Sequence, residues 1–174
     1  MAGGIRYRVV QFWRAMSDRA MPEELAHVQT VLSPTLFDLF CQMLPFEQAH
    51  AIRVYQRICE QGHTDPDLIA AALLHDVGKA RVHLRPWERA LYVLGEALLP
   101  EQADRWGDRE PKGPLRGFVV REQHAAWGAA MAEEAGASER LVRLIAHHQG
   151  EISADLSEDE QMLLAILQEV DDVN

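Results

Sequence analysis

Residues 66–79, PDLIAAALLHDVGK, decide the fold. Asp65-Pro66 sets a capping oxygen ahead of a first-turn proline, a local signal that starts a helix. Leu68, Ile69, Ala70, Ala71, Ala72, Leu73 and Leu74 then leave the helix no polar face. A helix that is apolar all round belongs in the middle of a domain, with other elements packed on every side. This one runs into His75-Asp76. Burying a polar group without a partner costs about 2–7 kcal/mol, and a charge costs more, so the pair needs a strong partner inside the protein. A metal ion satisfies both ligands and their charge at once. The plainer alternative is a helix end at which both side chains turn to solvent.

Helical signals continue on either side. Ser33-Pro34 repeats the cap-and-proline start, Ser157 with Glu160 forms a capping box, and Gly62, Gly78, Gly136 and Gly150 read as stops. The spacing predicts helices near 5–17, 22–31, 34–44, 46–61, 66–77, 86–98, 117–135, 139–148 and 158–172. No segment alternates with period two, so the expected fold is all-α, without a sheet. The run 104–116, DRWGDREPKGPLR, is charged and broken by Gly107, Pro111, Gly113 and Pro114, and reads as a surface loop or lid.

A length of 174 residues suits one domain with a full core. The net charge of −10 argues against a nucleic-acid partner held by phosphate neutralisation. A small anionic ligand is still compatible if positive charge is gathered locally. No apolar run reaches the roughly 20 residues that span a bilayer, so no membrane partner is expected. Cys41 and Cys59 are too few for a disulfide framework or a Cys-rich zinc site, and a reduced, cytoplasmic setting suits them. In residues 5–16, Ile5, Val9, Phe12, Trp13 and Met16 recur at helical spacing beside Arg6, Arg8 and Arg14. Such a stripe reads as a helix packed on its own domain more readily than as a membrane-surface helix. A homodimer is compatible with the sequence.

The histidines carry the chemistry. His124 shares a face with Val120, Trp127 and Met131, while His50 precedes Val54 and Ile58 on the buried side of its helix. His147 and His148 close the apolar segment LVRLIAHHQG. Neighbours on a helix point about 100° apart, so both can turn inward only if the helix ends or distorts there, which Gly150 permits. Near the end, Leu163, Leu164, Ile166, Leu167 and Val170 define an inward arc centred close to Leu167. Asp171 lies one turn beyond Leu167, whereas Asp172 rotates towards solvent. Any one of these positions could be a satisfied core histidine or a surface residue; so many on separate buried faces are hard to explain as accidents.

In this arrangement the chain resembles the HD-domain superfamily of metal-dependent phosphohydrolases. The residues that carry the resemblance are His50, His75-Asp76-Val77-Gly78-Lys79, His124, His147-His148 and Asp171. It covers residues 46–174 as an HD domain and leaves 1–45 as an N-terminal helical extension. The resemblance implies a helical bundle with two divalent transition metals in its core, iron or manganese first, with zinc, cobalt or nickel as alternatives. One metal would take His50, His75, Asp76 and Asp171. The other would take His124, His147 and His148, with Asp76 bridging. The implied activity is hydrolysis of a nucleotide or other small phosphate ester by a metal-bound hydroxide, with Asp76 and Lys79 catalytic.

Lys79, Arg81, Arg85 and Arg89 gather positive charge in residues 79–89 against one acid, Glu88, while Arg121 and Arg143 each lie one turn before a histidine. Lys79, Arg81, Arg85, Arg121 and Arg143 are candidate substrate ligands. Two other functions fit the same residues: a diiron oxygenase of the same superfamily, and a sensor domain in which metal only staples the fold.

Overall fold

A computed structural model describes residues 18–173. Among them the chain forms nine α-helices and no strand. The helices are α1 (Pro22–Val31), α2 (Pro34–Phe40), α3 (Pro45–Glu60), α4 (Pro66–Leu74), α5 (Pro86–Leu98), α6 (Pro100–Gly107), α7 (Arg116–Glu134), α8 (Glu139–Ala146) and α9 (Glu158–Val173). Short 3-10 segments lie at Val77–Arg81 and Gly113–Leu115. The expected helix at 5–17 lies outside the described residues.

Helix starts are set locally. Six of the nine helices open on a proline, whose fixed φ suits the first turn and whose missing N–H would have no partner there. Glutamates in the first turn do the rest. Glu24, Glu47, Glu88 and Glu160 accept the backbone N–H of Met21, Leu44, Arg85 and Ser157 at 2.7, 3.0, 2.7 and 2.8 Å.

Helix α4 is the centre of the bundle. Leu68, Ala71, Ala72, Leu73 and Leu74 are fully buried, enclosed by α3, α8 and α9. The core continues outward through Val54 and Ile58 of α3, Leu144 and Ile145 of α8, and Leu164 and Leu167 of α9. Val28, Leu36 and Phe40 join α1 and α2 to the same cluster. Arg140, at the start of α8, bonds Asp65, Asp67 and Asp159 at 2.8, 2.6 and 2.9 Å, which ties the beginnings of α4 and α9 to its own helix.

Three expectations need correction. The helix expected over 66–77 ends at Leu74, because Asp76 takes φ −94° and ψ 2° and the chain tightens into a 3-10 segment. The loop expected over 104–116 shrinks from both ends. Helix α6 carries the chain to Gly107, held by buried Ala103 and by Trp106 edge-on to Phe118 at 4.9 Å, and residues 113–115 form a 3-10 turn. Gly78 is not a left-handed stop: it is absent from the positive-φ glycines, which are Gly62, Gly113, Gly136 and Gly150. Its role is packing. A Cβ there would lie 1.9 Å from the His124 carbonyl oxygen and 2.6 Å from the Gly128 nitrogen, so the 3-10 segment meets the α7 backbone directly.

Candidate metal centre

Six elements deliver the site. His50 comes from α3, His75 caps the end of α4, Asp76 opens the 3-10 segment, His124 sits mid-way along α7, His148 follows the end of α8, and Asp171 lies on α9. Their ligand atoms fall into two groups, His50–His75–Asp171 and Asp76–His124–His148. The imidazoles form an edge-to-face series, with ring centroids 5.5 Å apart for His50–His75, 5.2 Å for His75–His148 and 5.1 Å for His124–His148.

Asp76 joins the groups, one oxygen to each. Oδ2 lies 3.6 Å from His75 Nε2, while Oδ1 lies 3.2 Å from His124 Nε2 and 3.8 Å from His148 Nε2. Asp171 Oδ1 is 2.8 Å from His50 Nε2 and 3.5 Å from His75 Nε2. Lys79 Nζ is 2.5 Å from Asp76 Oδ2.

The protonation pattern follows from the backbone. His75 Nδ1 lies 3.0 Å from the Ala72 carbonyl, His124 Nδ1 2.9 Å from that of Val120, and His148 Nδ1 2.8 Å from that of Ile145. A carbonyl oxygen can only accept, so Nδ1 holds the proton in each ring and Nε2 carries the lone pair. All three Nε2 atoms are buried and have no hydrogen-bond partner. Bare nitrogens facing carboxylate oxygens across 3.2–3.8 Å repel unless a cation lies among them. Neutral imidazoles oriented by backbone carbonyls, mixed with carboxylates, are a donor set for a divalent transition metal.

The electrostatics point the same way. Burial would raise the Asp76 carboxyl, but Lys79, His75 and His124 outweigh it and hold the group well below the usual range. Burial would likewise raise Asp171, which the hydrogen bond with His50 and the nearby His75 ring hold down. At His75, burial favours the neutral ring, but the Asp76 and Asp171 carboxylates outweigh it and raise the imidazole above its usual value, so without a metal a proton competes for Nε2. Burial, followed by the neighbouring His75, pushes His148 down to about 3, so that ring is neutral over the ordinary pH range.

His147 requires a correction, because it joins neither group. Helix α8 stops at Ala146 and His147 is its C-cap, at φ −110° and ψ 10°, so the chain turns before His148 and only the second imidazole enters the core. His148 is 4% exposed, while His147 stays half-buried beside Asp155. Metal content therefore separates the neighbours: His148→Ala is expected to lower bound metal at least about tenfold, and His147→Ala to keep it. Asp171 and Asp172 divide in the same manner. Asp171 meets His50 and His75, whereas Asp172 is exposed at the rim of the adjoining cleft. Elemental analysis is expected to find metal lost in Asp171→Ala and retained in Asp172→Ala; the reverse would reject the ligand set.

The arginines spread out. Arg121 lies at the rim of a cleft of about 540 Å³ that also reaches His148, Gln149 and Asp171, and it pairs with Glu96. Arg81 is exposed, its guanidinium 5.3 Å above the Trp127 ring. Arg85 is exposed at the N-cap of α5. Arg143 is a correction: it pairs with Glu160 at 3.0 Å and Glu139 at 3.8 Å and does not line the cleft. Its helix turn aims it at the first carboxylates of α9, a preference that spacing from His147 does not reveal. Arg89, counted in the positive run but not among the candidate ligands, is buried next to the site; its neighbours in sequence give no sign that this arginine turns inward.

A buried histidine–aspartate centre in an all-helical bundle defines a metal-dependent class of protein. The HD domain family matches residues 48–172, and the chain belongs to it. Comparison with curated proteins and with solved structures returns no match. No described helix is long and apolar enough to cross a membrane.

Proposed function

We propose that the protein is a phosphohydrolase acting on a nucleotide or another small phosphate ester, with two divalent metals, iron or manganese, held by the two groups. The observation that carries this reading is the trio of buried, unpartnered imidazole nitrogens around Asp76, reached from a cleft of about 540 Å³. Metals bound there would acidify a water and polarise a phosphoryl oxygen.

The chain's own groups supply the rest. Asp76 keeps the two groups in fixed relation, because each of its oxygens faces a different one. Lys79 brings an ammonium to the same carboxylate, where it can meet a phosphoryl oxygen and offset the charge that develops as the ester bond breaks. Arg121 and Gln149 stand at the cleft wall, where an anionic substrate has to pass. Fully buried Leu73, Leu74 and Ile145, close in sequence to His75 and His148, keep water out, which strengthens each charge interaction.

The test is an anaerobic screen of purified, metal-analysed protein against a panel of nucleotides with added Mn²⁺. Release of phosphate or of a shortened nucleotide, abolished by a chelator, is expected. In a parallel aerobic assay, oxygen uptake without hydrolysis would replace this reading with an oxygenase, and neither activity with metal retained would replace it with a metal-stapled sensor.

A further inference from the structure

A second, smaller cavity of about 260 Å³ adjoins the cluster, lined by Lys79, Arg89, Tyr92, Glu96, Arg121 and His124. Arg121 and Gln149 line both this cavity and the larger cleft, so the two compartments adjoin beside the cluster. Arg89 is its unusual member. The side chain is 9% exposed, and its guanidinium lies 4.7 Å above the Phe46 ring. Nη2 donates to Glu47 Oε1 at 2.5 Å, but Nε is buried without a partner. A guanidinium facing a carboxylate ordinarily uses two N–H groups in a fork. Glu47 takes only one of those N–H groups, and its other oxygen accepts the Leu44 backbone N–H at 3.0 Å. Arg89 is therefore buried with more donor capacity than the protein satisfies, at a cavity wall, and buried donors left unpaired are costly.

Lys79 adds a second cation. Its ammonium meets Asp76 Oδ2, and a divalent metal ligated by that carboxylate would take over the same charge. The lysine would then be free for an anion in the cavity it lines. Glu96 on the wall is already paired with Arg121.

We propose that this cavity is a subsite for a second phosphoryl group, held by Arg89 and Lys79, so that the substrate carries two phosphoryl groups, one reacting at the cluster and one anchored here. The proposal rests on the phosphohydrolase reading and deepens it. Size supports the division: 260 Å³ lies below the roughly 300–1,000 Å³ of pockets for whole small molecules, whereas the 540 Å³ cleft can take the remainder of the substrate.

Calorimetric titration of the metal-loaded protein with inorganic phosphate and with methylenediphosphonate, which resists hydrolysis, tests the subsite. Arg89→Lys keeps the charge opposite Glu47 but loses the fork; diphosphonate affinity is expected to fall about tenfold, while phosphate affinity and metal content change less than about threefold. Glu47→Gln removes the carboxylate that competes for the guanidinium and is expected to tighten diphosphonate binding. A purely structural Arg89 predicts neither shift. An unchanged diphosphonate-to-phosphate ratio in both variants, or equal loss of both ligands, overturns the subsite alone. Failure of the metal-loaded protein to bind either ligand overturns the subsite and the phosphohydrolase reading together.

Discussion

Asp76→Ala is expected to abolish metal-dependent turnover and to reduce metal affinity by more than about 100-fold. Replacing residues that merely orient a metal ligand already costs about 10–100-fold, and Asp76 is itself shared, with one oxygen towards His75 and the other towards His124 and His148. Its removal withdraws a donor from both groups at once. Asp76→Asn separates loss of the shared donor from loss of volume. The amide keeps the shape and one oxygen, but its nitrogen has no lone pair to offer the other group. Helical content by circular dichroism is expected to persist in Asp76→Asn while the metal-to-protein ratio falls. Full metal content in both variants would reject Asp76 as the shared ligand.

The largest effect on the fold is expected at Gly78. An alanine methyl there would meet the His124 carbonyl oxygen at 1.9 Å and the Gly128 nitrogen at 2.6 Å, and both are backbone atoms of α7 that cannot rotate aside. Overpacking a core costs about 1–3 kcal/mol where side chains can yield. Against backbone, the loss in Gly78→Ala is expected at about 3 kcal/mol or more, a large share of a typical domain's 5–15 kcal/mol. The same shift would move Asp76 away from His124, so metal affinity is expected to fall together with the denaturation midpoint. Gly136→Ala is the control. No atom lies within 4 Å of its Cβ position, and the cost comes only from φ of +84°, about 1–2 kcal/mol. Chemical denaturation that ranks Gly136→Ala as the more damaging change would contradict the close packing of the two backbones.

What could be read without coordinates was local. Proline at the first turn and a glutamate that reaches back to the cap N–H act within a few residues of chain, so Pro22–Val31 and Pro86–Leu98 follow directly from their sequences. Helical periodicity is equally local: the apolar arc of α9 distinguishes Asp171 from Asp172, and the all-apolar run 66–74 announces a central helix that ends in buried ligands. The N-terminal stripe at 5–16 belongs to residues outside the described structure.

Tertiary structure decided matters that depend on what lies across the bundle. His147 and His148 carry identical side chains, and only the turn after Ala146 selects the second for the core. Arg143 and Arg121 occupy similar places relative to a histidine, yet Arg143 is captured by Glu160, whereas Arg121 stays at the cleft. Arg89 turns inward because Glu47 and Phe46, on another helix, receive it. Gly78 has the look of a helix stop but serves as a contact, because its partner is a backbone about 50 residues away. Caps, prolines and periodicity bias φ and ψ over a turn or two of chain. The carboxylate an arginine meets, and the backbone a glycine must clear, are set only when helices distant in sequence are packed together.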